Sequence, residues 1–154
     1  MARLRFRAKN EGDLEGLLEV ARALPQWFTQ AGLEEMAHDF NLQEGFVATM
    51  GERIVGFITY ESLAPDLAEL SWMGVRPEYQ GRGVGKRLLQ LAEERLIAQG
   101  IRVLEVSTVA DSVAYEPYAR TRAFYRANGF RDYRVDRGYF PNGDDRLLLR
   151  KQVG

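Results

Sequence analysis

The sequence predicts a single α/β (α+β) domain over residues 1–154, built on a mixed central sheet of about seven strands. Three observations carry this. Strand-like runs alternate with runs of helical periodicity along the chain, with no repeat, low-complexity tract or linker between them. Gly51-Glu52, a two-residue turn with glycine first, joins two strand-like runs and calls for an antiparallel pair. Residues 67–108 read as strand, helix and strand, the last strand reached directly from the helix, which describes a parallel crossover.

The elements follow in order. Residues 3–8 alternate charged and apolar side chains, as a half-exposed strand does. Asp13 is a candidate N-cap for a helix whose Leu14, Leu17, Leu18, Ala21 and Leu24 share one face, and Pro25 ends it. Leu33, Met36, Ala37 and Phe40 mark a second short helix, with Pro25-Gln26-Trp27-Phe28 as the connection. Strands are expected over 45–50, 53–60 and 67–75, the last broken by Pro77. Val84, Leu88, Leu91, Ala92 and Leu96 form the buried stripe of a third helix, closed by Gly100. A strand over 101–108, a helix over 117–128 closed by Gly129, and strands over 130–136 and 146–151 complete the chain, with the turn-rich segment 138–145 between the last two.

Composition removes several classes of function. Lysine and arginine number 21 against 22 aspartate and glutamate, so no global basic field exists to hold nucleic acid. Cysteine is absent, which excludes disulfides, thiolate nucleophiles and cysteine metal ligands together. The single histidine, His38, cannot build a multi-histidine site, and no metal is expected. No apolar block follows the charges of residues 1–7 and no later run is long enough to span a bilayer, so the expectation is a cytoplasmic protein without membrane contact.

The most specific feature is Gln80-Gly81-Arg82-Gly83-Val84-Gly85-Lys86-Arg87, set between a strand and an amphipathic helix. Three glycines let the backbone approach a ligand, the helix start supplies unpaired N–H groups, and Arg82, Lys86 and Arg87 add positive charge. This is a phosphate-binding turn. It is not a Walker A loop, because three rather than four residues separate Gly81 from Gly85-Lys86 and Arg87 stands where a magnesium-ligating hydroxyl belongs. Nor is it a dinucleotide fingerprint, since Lys86 or Leu88 falls where the third glycine is needed.

Gln80, Gly83 and Gly85 fill the pattern Gln-x-x-Gly-x-Gly, preceded by Trp72-Met73-Gly74-Val75-Arg76-Pro77. This resembles the coenzyme A pyrophosphate loop of the GNAT superfamily of acyl-CoA N-acyltransferases. Downstream, Thr121-Arg122-Ala123-Phe124-Tyr125-Arg126-Ala127-Asn128-Gly129-Phe130 is similar to that family's helix ending in Phe-Tyr and then Gly-Phe. The resemblance implies a GNAT-like fold with helices on both sheet faces, acetyl-CoA as co-substrate, and acetyl transfer by direct attack of a primary amine. A small-molecule amine or a peptide amine would be the acceptor. A protein-directed acetyltransferase shares this chemistry, and a coenzyme A-binding sensor without catalysis shares the loop. Exposed terminal strands would let two copies pair as a homodimer.

Roles follow from the same resemblance. Backbone N–H groups from Arg82 to Lys86 would take the pyrophosphate, with Gln80, Gly81 and Arg87 beside them as further cofactor-binding candidates. The backbone of Met73 and Val75 orients the pantetheine arm, with Gly74 between them as a candidate bulge. Tyr125 is the candidate general acid, because expulsion of a thiolate needs a proton and a phenol can supply it; its other reading is an aromatic packing residue. Glu69, similar to a strand glutamate that serves as base in one branch of the family, is the candidate base, with Glu105 behind it; a surface carboxylate paired with an arginine is the other reading. Trp27 and Phe28 lie where the acceptor pocket is expected, as do Tyr115, Tyr118 and Tyr139 among aromatics flanking loops. Tyr118 stands where the family often has asparagine, so that contact does not carry over.

Overall fold

A computed structural model describes residues 2–154. Among these the chain forms β1 (Leu4–Ala8), α1 (Leu14–Arg22), α2 (Gln30–Asp39), β2 (Glu44–Met50), β3 (Arg53–Ala64), β4 (Leu67–Val75), α3 (Val84–Ala98), β5 (Val103–Val109), α4 (Glu116–Ala127), β6 (Arg131–Asp136) and β7 (Arg146–Gln152). The sheet order is β1-β2-β3-β4-β5-β7-β6. β4 and β5 run parallel while the other neighbours are antiparallel, as the Gly51-Glu52 hairpin and the crossover required. The C-terminal strand does not lie at an edge as expected. β7 inserts between β5 and β6, leaving β1 and β6 as the edges. No helix among the described residues is long and apolar enough to cross a membrane.

Two apolar layers sandwich the sheet. On one face Leu88, Leu89, Ala92 and Leu96 of α3 pack on Ile58, Leu104 and Leu149. On the other, Leu17, Val20 and Met36 of α1 and α2 pack on Val47 and Phe57. Each fully buried leucine contributes roughly 1.5–3 kcal/mol of transfer free energy, so the stripe on α3 anchors the glycine turn that precedes it. At the start of α1, Asp13 does not cap with its side chain. Asn10 caps the short turn before it, and the Asp13 carboxylate instead takes the Asn10 N–H and pairs with Arg7, both at 2.8 Å. Arg7 lies on the neighbouring strand, so this carboxylate ties helix entry to sheet edge.

The feature that opens the site lies in β4. Thr59 pairs with Trp72 but Tyr60 pairs with Leu70, so Ser71 is an extra, bulged residue. The parallel ladder to β5 ends at the same place, with Leu70 opposite Val106. From Ser71 onward the two strands diverge. The bulge is therefore at Ser71 and not at Gly74, which keeps its register opposite Phe57. Gly74 answers a different need. A Cβ there would stand 3.1 Å from both Leu24 Cδ1 and Phe57 Cε1, so the missing side chain makes room for the α1 core.

Candidate active site

The cleft between β4 and β5 has two halves. One, of about 560 Å³, begins at the turn before α3 and runs along Met73, Gly74 and Val75. Gly81 and Gly83 adopt φ of 76° and 79°, the left-handed region that side-chain-bearing residues avoid. Gly83 is the N-cap of α3 and no side chain caps this end. The first helical bond is that from Arg87 N–H to Gly83 O at 3.0 Å, so the N–H groups of Val84, Gly85 and Lys86 have no intrahelical acceptor. These donors, with the partial positive charge of the helix end, suit a diphosphate. Gly81, Gly83, Val84, Gly85 and Lys86 all line this half.

The flanking side chains have different duties. Gln80 lines the cavity, and its Nε2 donates to Val75 O at 2.9 Å, tying the turn to the end of β4. Arg82 lies over the Tyr79 ring at 5.3 Å, and Arg87 approaches Glu94 at 3.8 Å. Neither arginine is part of the cavity wall, so their charge acts from outside it.

The other half, of about 480 Å³, lies beyond Tyr125, among the α1–α2 connection, the diverging ends of β4 and β5, and the loop 137–145. Trp27, Phe28, Met73, Thr121 and Tyr125 line both halves and form the neck between them. Tyr125 is 6% exposed, its hydroxyl lies 3.8 Å from Met73 Sδ, and Phe124 and Phe130 meet its ring edge-on at 5.2 and 5.4 Å. Burial pushes its phenol up to about 12, so it keeps its proton at neutral pH. The Tyr125 ring therefore packs among aromatic neighbours while the residue lines both halves of the cleft.

Trp27 and Phe28 reach the neck in different ways. Trp27 Nε1 donates to Thr121 Oγ1 at 3.0 Å and to Pro117 O at 3.1 Å, pinning the connection to α4 one turn before Tyr125. Phe28 packs against Phe57 and Trp72. Tyr118 lines the second half, and burial, with Tyr115 and Asp144 nearby, raises its phenol. Tyr115 and Tyr139 lie outside both linings: Tyr115 donates to Gln26 O at 3.3 Å and Tyr139 covers Arg146 at 3.6 Å. His38 is exposed on α2. Among the described residues no group of three or more His, Cys, Asp or Glu could hold a metal ion.

The two candidate bases separate clearly. Glu61, Glu69 and Glu105 lie directly opposite one another across β3, β4 and β5. Glu105 is engaged by Arg150 at 3.1 Å, whereas Glu69 has no ion pair among the described residues. Burial, then the carboxylates of Glu61 and Glu105, raise the Glu69 pKa above the usual carboxylate range, with Arg146 opposing and Asp39 adding to the rise. Glu69 does not itself line the cleft; its neighbours Leu70 and Ser71 do.

Several lining residues went unread in the sequence. Thr121 and Phe124 share the face of α4 that carries Tyr125, and a helical projection from that tyrosine would have found them. Ser107 and Thr108 of β5 and Asn142 and Asp144 of the 137–145 loop carry no such signal, because only the sheet order brings them to the cleft.

A cleft with a helix start suited to a diphosphate at one end and a protonated phenol at its neck is what a transferase drawing on a coenzyme A thioester requires. Residues 41–132 match the family model described as an acetyltransferase (GNAT) domain, and the chain belongs to that family of N-acetyltransferases, which use acetyl-CoA. Among its relatives, the N-alpha-acetyltransferase RimI of Mycobacterium tuberculosis is 32% identical over 132 residues, 83% of this chain and 77% of that protein. The [ribosomal protein bS18]-alanine N-acetyltransferase of Escherichia coli is 28% identical over 125 residues, 74% of this chain and 80% of that protein. The crystal structure of the E. coli ribosomal-protein-S18-alanine N-acetyltransferase superposes with a TM-score of 0.80 at 20% identity, covering 99% of this chain and 95% of that one.

Proposed function

We propose that this acetyltransferase moves the acetyl group directly onto a primary amine, and that its acceptor is the amino terminus of a protein or peptide. The observation that carries the first part is Tyr125, a proton-bearing phenol at the neck between a cavity suited to coenzyme A and a second cavity large enough for an acceptor. The second part is supported by the two relatives, whose names specify an alanine of a ribosomal protein and an N-alpha acceptor. An acceptor cavity bounded by two separate loops also suits an extended chain end.

In the reaction a C–N bond forms as the C–S bond breaks, with no covalent enzyme intermediate; the incoming ammonium gives up two protons, one to the base before attack and one from the tetrahedral adduct, and the second balances the proton that joins sulfur. Main-chain donors at Val84, Gly85 and Lys86 hold the diphosphate, and the free edge of β4 at Met73 and Val75 orients the thioester arm. Tyr125 protonates the leaving sulfur. Glu69 accepts the proton of the incoming ammonium through intervening water; burial and two facing carboxylates raise its proton affinity toward the working range, and Arg150 leaves it freer than Glu105. Alignment of the two reactants supplies much of the acceleration.

The test is release of free thiol from acetyl-CoA across two acceptor sets, short peptides with free amino termini and small amines such as diamines and amino acids. Turnover with peptides, and mass addition at the α-amine, is expected. Turnover confined to small amines overturns the peptide reading. Coenzyme A binding without thiol release from any acceptor overturns catalysis in favour of a sensor.

A further inference from the structure

The acceptor half of the cleft is lopsided in charge. Among the described residues its lining holds one carboxylate, Asp144, and no lysine, arginine or histidine. Asp144 is half-buried and its carboxylate takes a hydrogen bond from Asn142 Nδ2 at 3.0 Å, with no ion pair among the described residues. The adjacent Asp145 differs. It is occupied by the Gly138 N–H, by Ser112 Oγ and by Arg137. The turn orients Asp144 through its own backbone, with Asp144 N–H donating to Asn142 Oδ1 and Phe140 N–H donating to Asp144 O. Aromatic rings of Tyr118 and Phe140 line the same cavity and add faces attractive to cations, while the Trp27 ring already carries Arg120 at 5.2 Å.

The surroundings have the same sign. The row Glu61, Glu69 and Glu105 continues the sheet face beyond Trp72 and Ser107, and Asp39 accepts from Trp72 Nε1 at 3.0 Å. The cations around it are committed elsewhere, Arg146 to Asp136, Arg150 to Glu105, Arg120 to Glu116 and Arg122 to the Val109 carbonyl and Asp111. Lys86 and Arg120 line the donor half instead.

We infer that Asp144 sets a charge preference for the acceptor: the enzyme takes a peptide amine whose next residues carry basic side chains and turns away one whose next residues are acidic. This rests on the peptide reading above. Asp144 acts on binding, since it lines the acceptor half and not the neck that holds Tyr125. A half-buried carboxylate attracts one charge and repels the other, so the span between the two acceptor types should be about tenfold in kcat/KM.

Three peptides share one amino-terminal residue and carry two arginines, two serines or two glutamates at the next positions. Each is assayed for thiol release with the wild type and with Asp144→Asn and Asp144→Lys. The expected order is arginine, serine, glutamate, expressed in the peptide KM and compressed by salt. Asp144→Asn shrinks the span to about twofold and Asp144→Lys reverses it. Each span is a ratio within one variant, so partial loss of folded enzyme cancels. Equal turnover of the three peptides by the wild type, or a span that survives Asp144→Asn, overturns the inference while leaving the peptide reading intact. No turnover of any peptide, with small amines acetylated, overturns the peptide reading and this inference with it.

Discussion

The two halves of the cleft, proposed to take donor and acceptor, share five lining residues and yet offer opposite means of recognition. The donor half presents main-chain donors from one short stretch, Gly83 to Lys86, held by a helix whose buried face locks it to the sheet. The acceptor half presents side chains from five distant segments, two of them loops, and its lining carboxylate is negative where the donor half is positive. A constant ligand with a fixed diphosphate is well served by backbone geometry, which no single side-chain change removes. A variable acceptor is better served by side chains on loops, which tolerate substitution without disturbing the core.

Three changes sharpen or break this contrast. The largest effect is expected at the neck, where the halves meet. Tyr125→Phe keeps the packed ring but removes the proton, and should lower kcat about a hundredfold while leaving the acetyl-CoA dissociation constant near that of the wild type. Steady-state kinetics beside calorimetric titration separate the two; unchanged kcat would remove Tyr125 from the chemistry.

Next comes the donor half. Gly83→Ala forces a Cβ into a φ of 79°, where about 1–2 kcal/mol of strain is expected. Nothing lies within 4 Å of that Cβ, so the cost is conformational and not steric. If the turn relaxes to relieve it, coenzyme A affinity falls about tenfold while the order of acceptor preference is preserved. Loss of acceptor preference instead would mean that the two halves are not separable.

The smallest effect is on stability. The Glu69 pKa is raised above its ordinary 4.5, so the folded state holds this proton more tightly than the unfolded state does. Stability from this group is therefore full below 4.5 and is lost as pH rises through the folded-state value. Glu69→Gln, which stays neutral, should match the wild type in acid and exceed it at neutral pH by about 0.5 kcal/mol, the scale for like charges opposite one another on a sheet. Denaturant melts at two pH values check the sign. The same variant should flatten the acid limb of the kcat profile if Glu69 is the base.

How much was legible differs between the halves. The glycine turn was readable because its requirements are local: positive φ at Gly81 and Gly83 and a helix start immediately after them. Tyr125 was readable from its helix motif. The bulge was expected at Gly74, because a glycine in a strand usually marks backbone irregularity, but there the glycine makes room for Leu24 and Phe57 and the extra residue is Ser71. Ser71 has no local mark, since the bulge is a property of how β3 and β4 pair. Arg82 and Arg87 read as part of the cavity by their sequence position, yet neither lines it: Arg82 lies over the Tyr79 ring and Arg87 approaches Glu94.

Local chemistry was therefore enough for the fold class, the left-handed glycine turn and the helix that carries Tyr125, because periodicity, turn geometry and helix ends are written within a few consecutive residues. Where β4 leaves β5, which glutamate stays free of an arginine, and how Asp144 comes to share a cavity with Trp27 all depend on partners far apart in the chain. Those distances close only when the sheet order does, so the acceptor side became readable in the folded molecule alone.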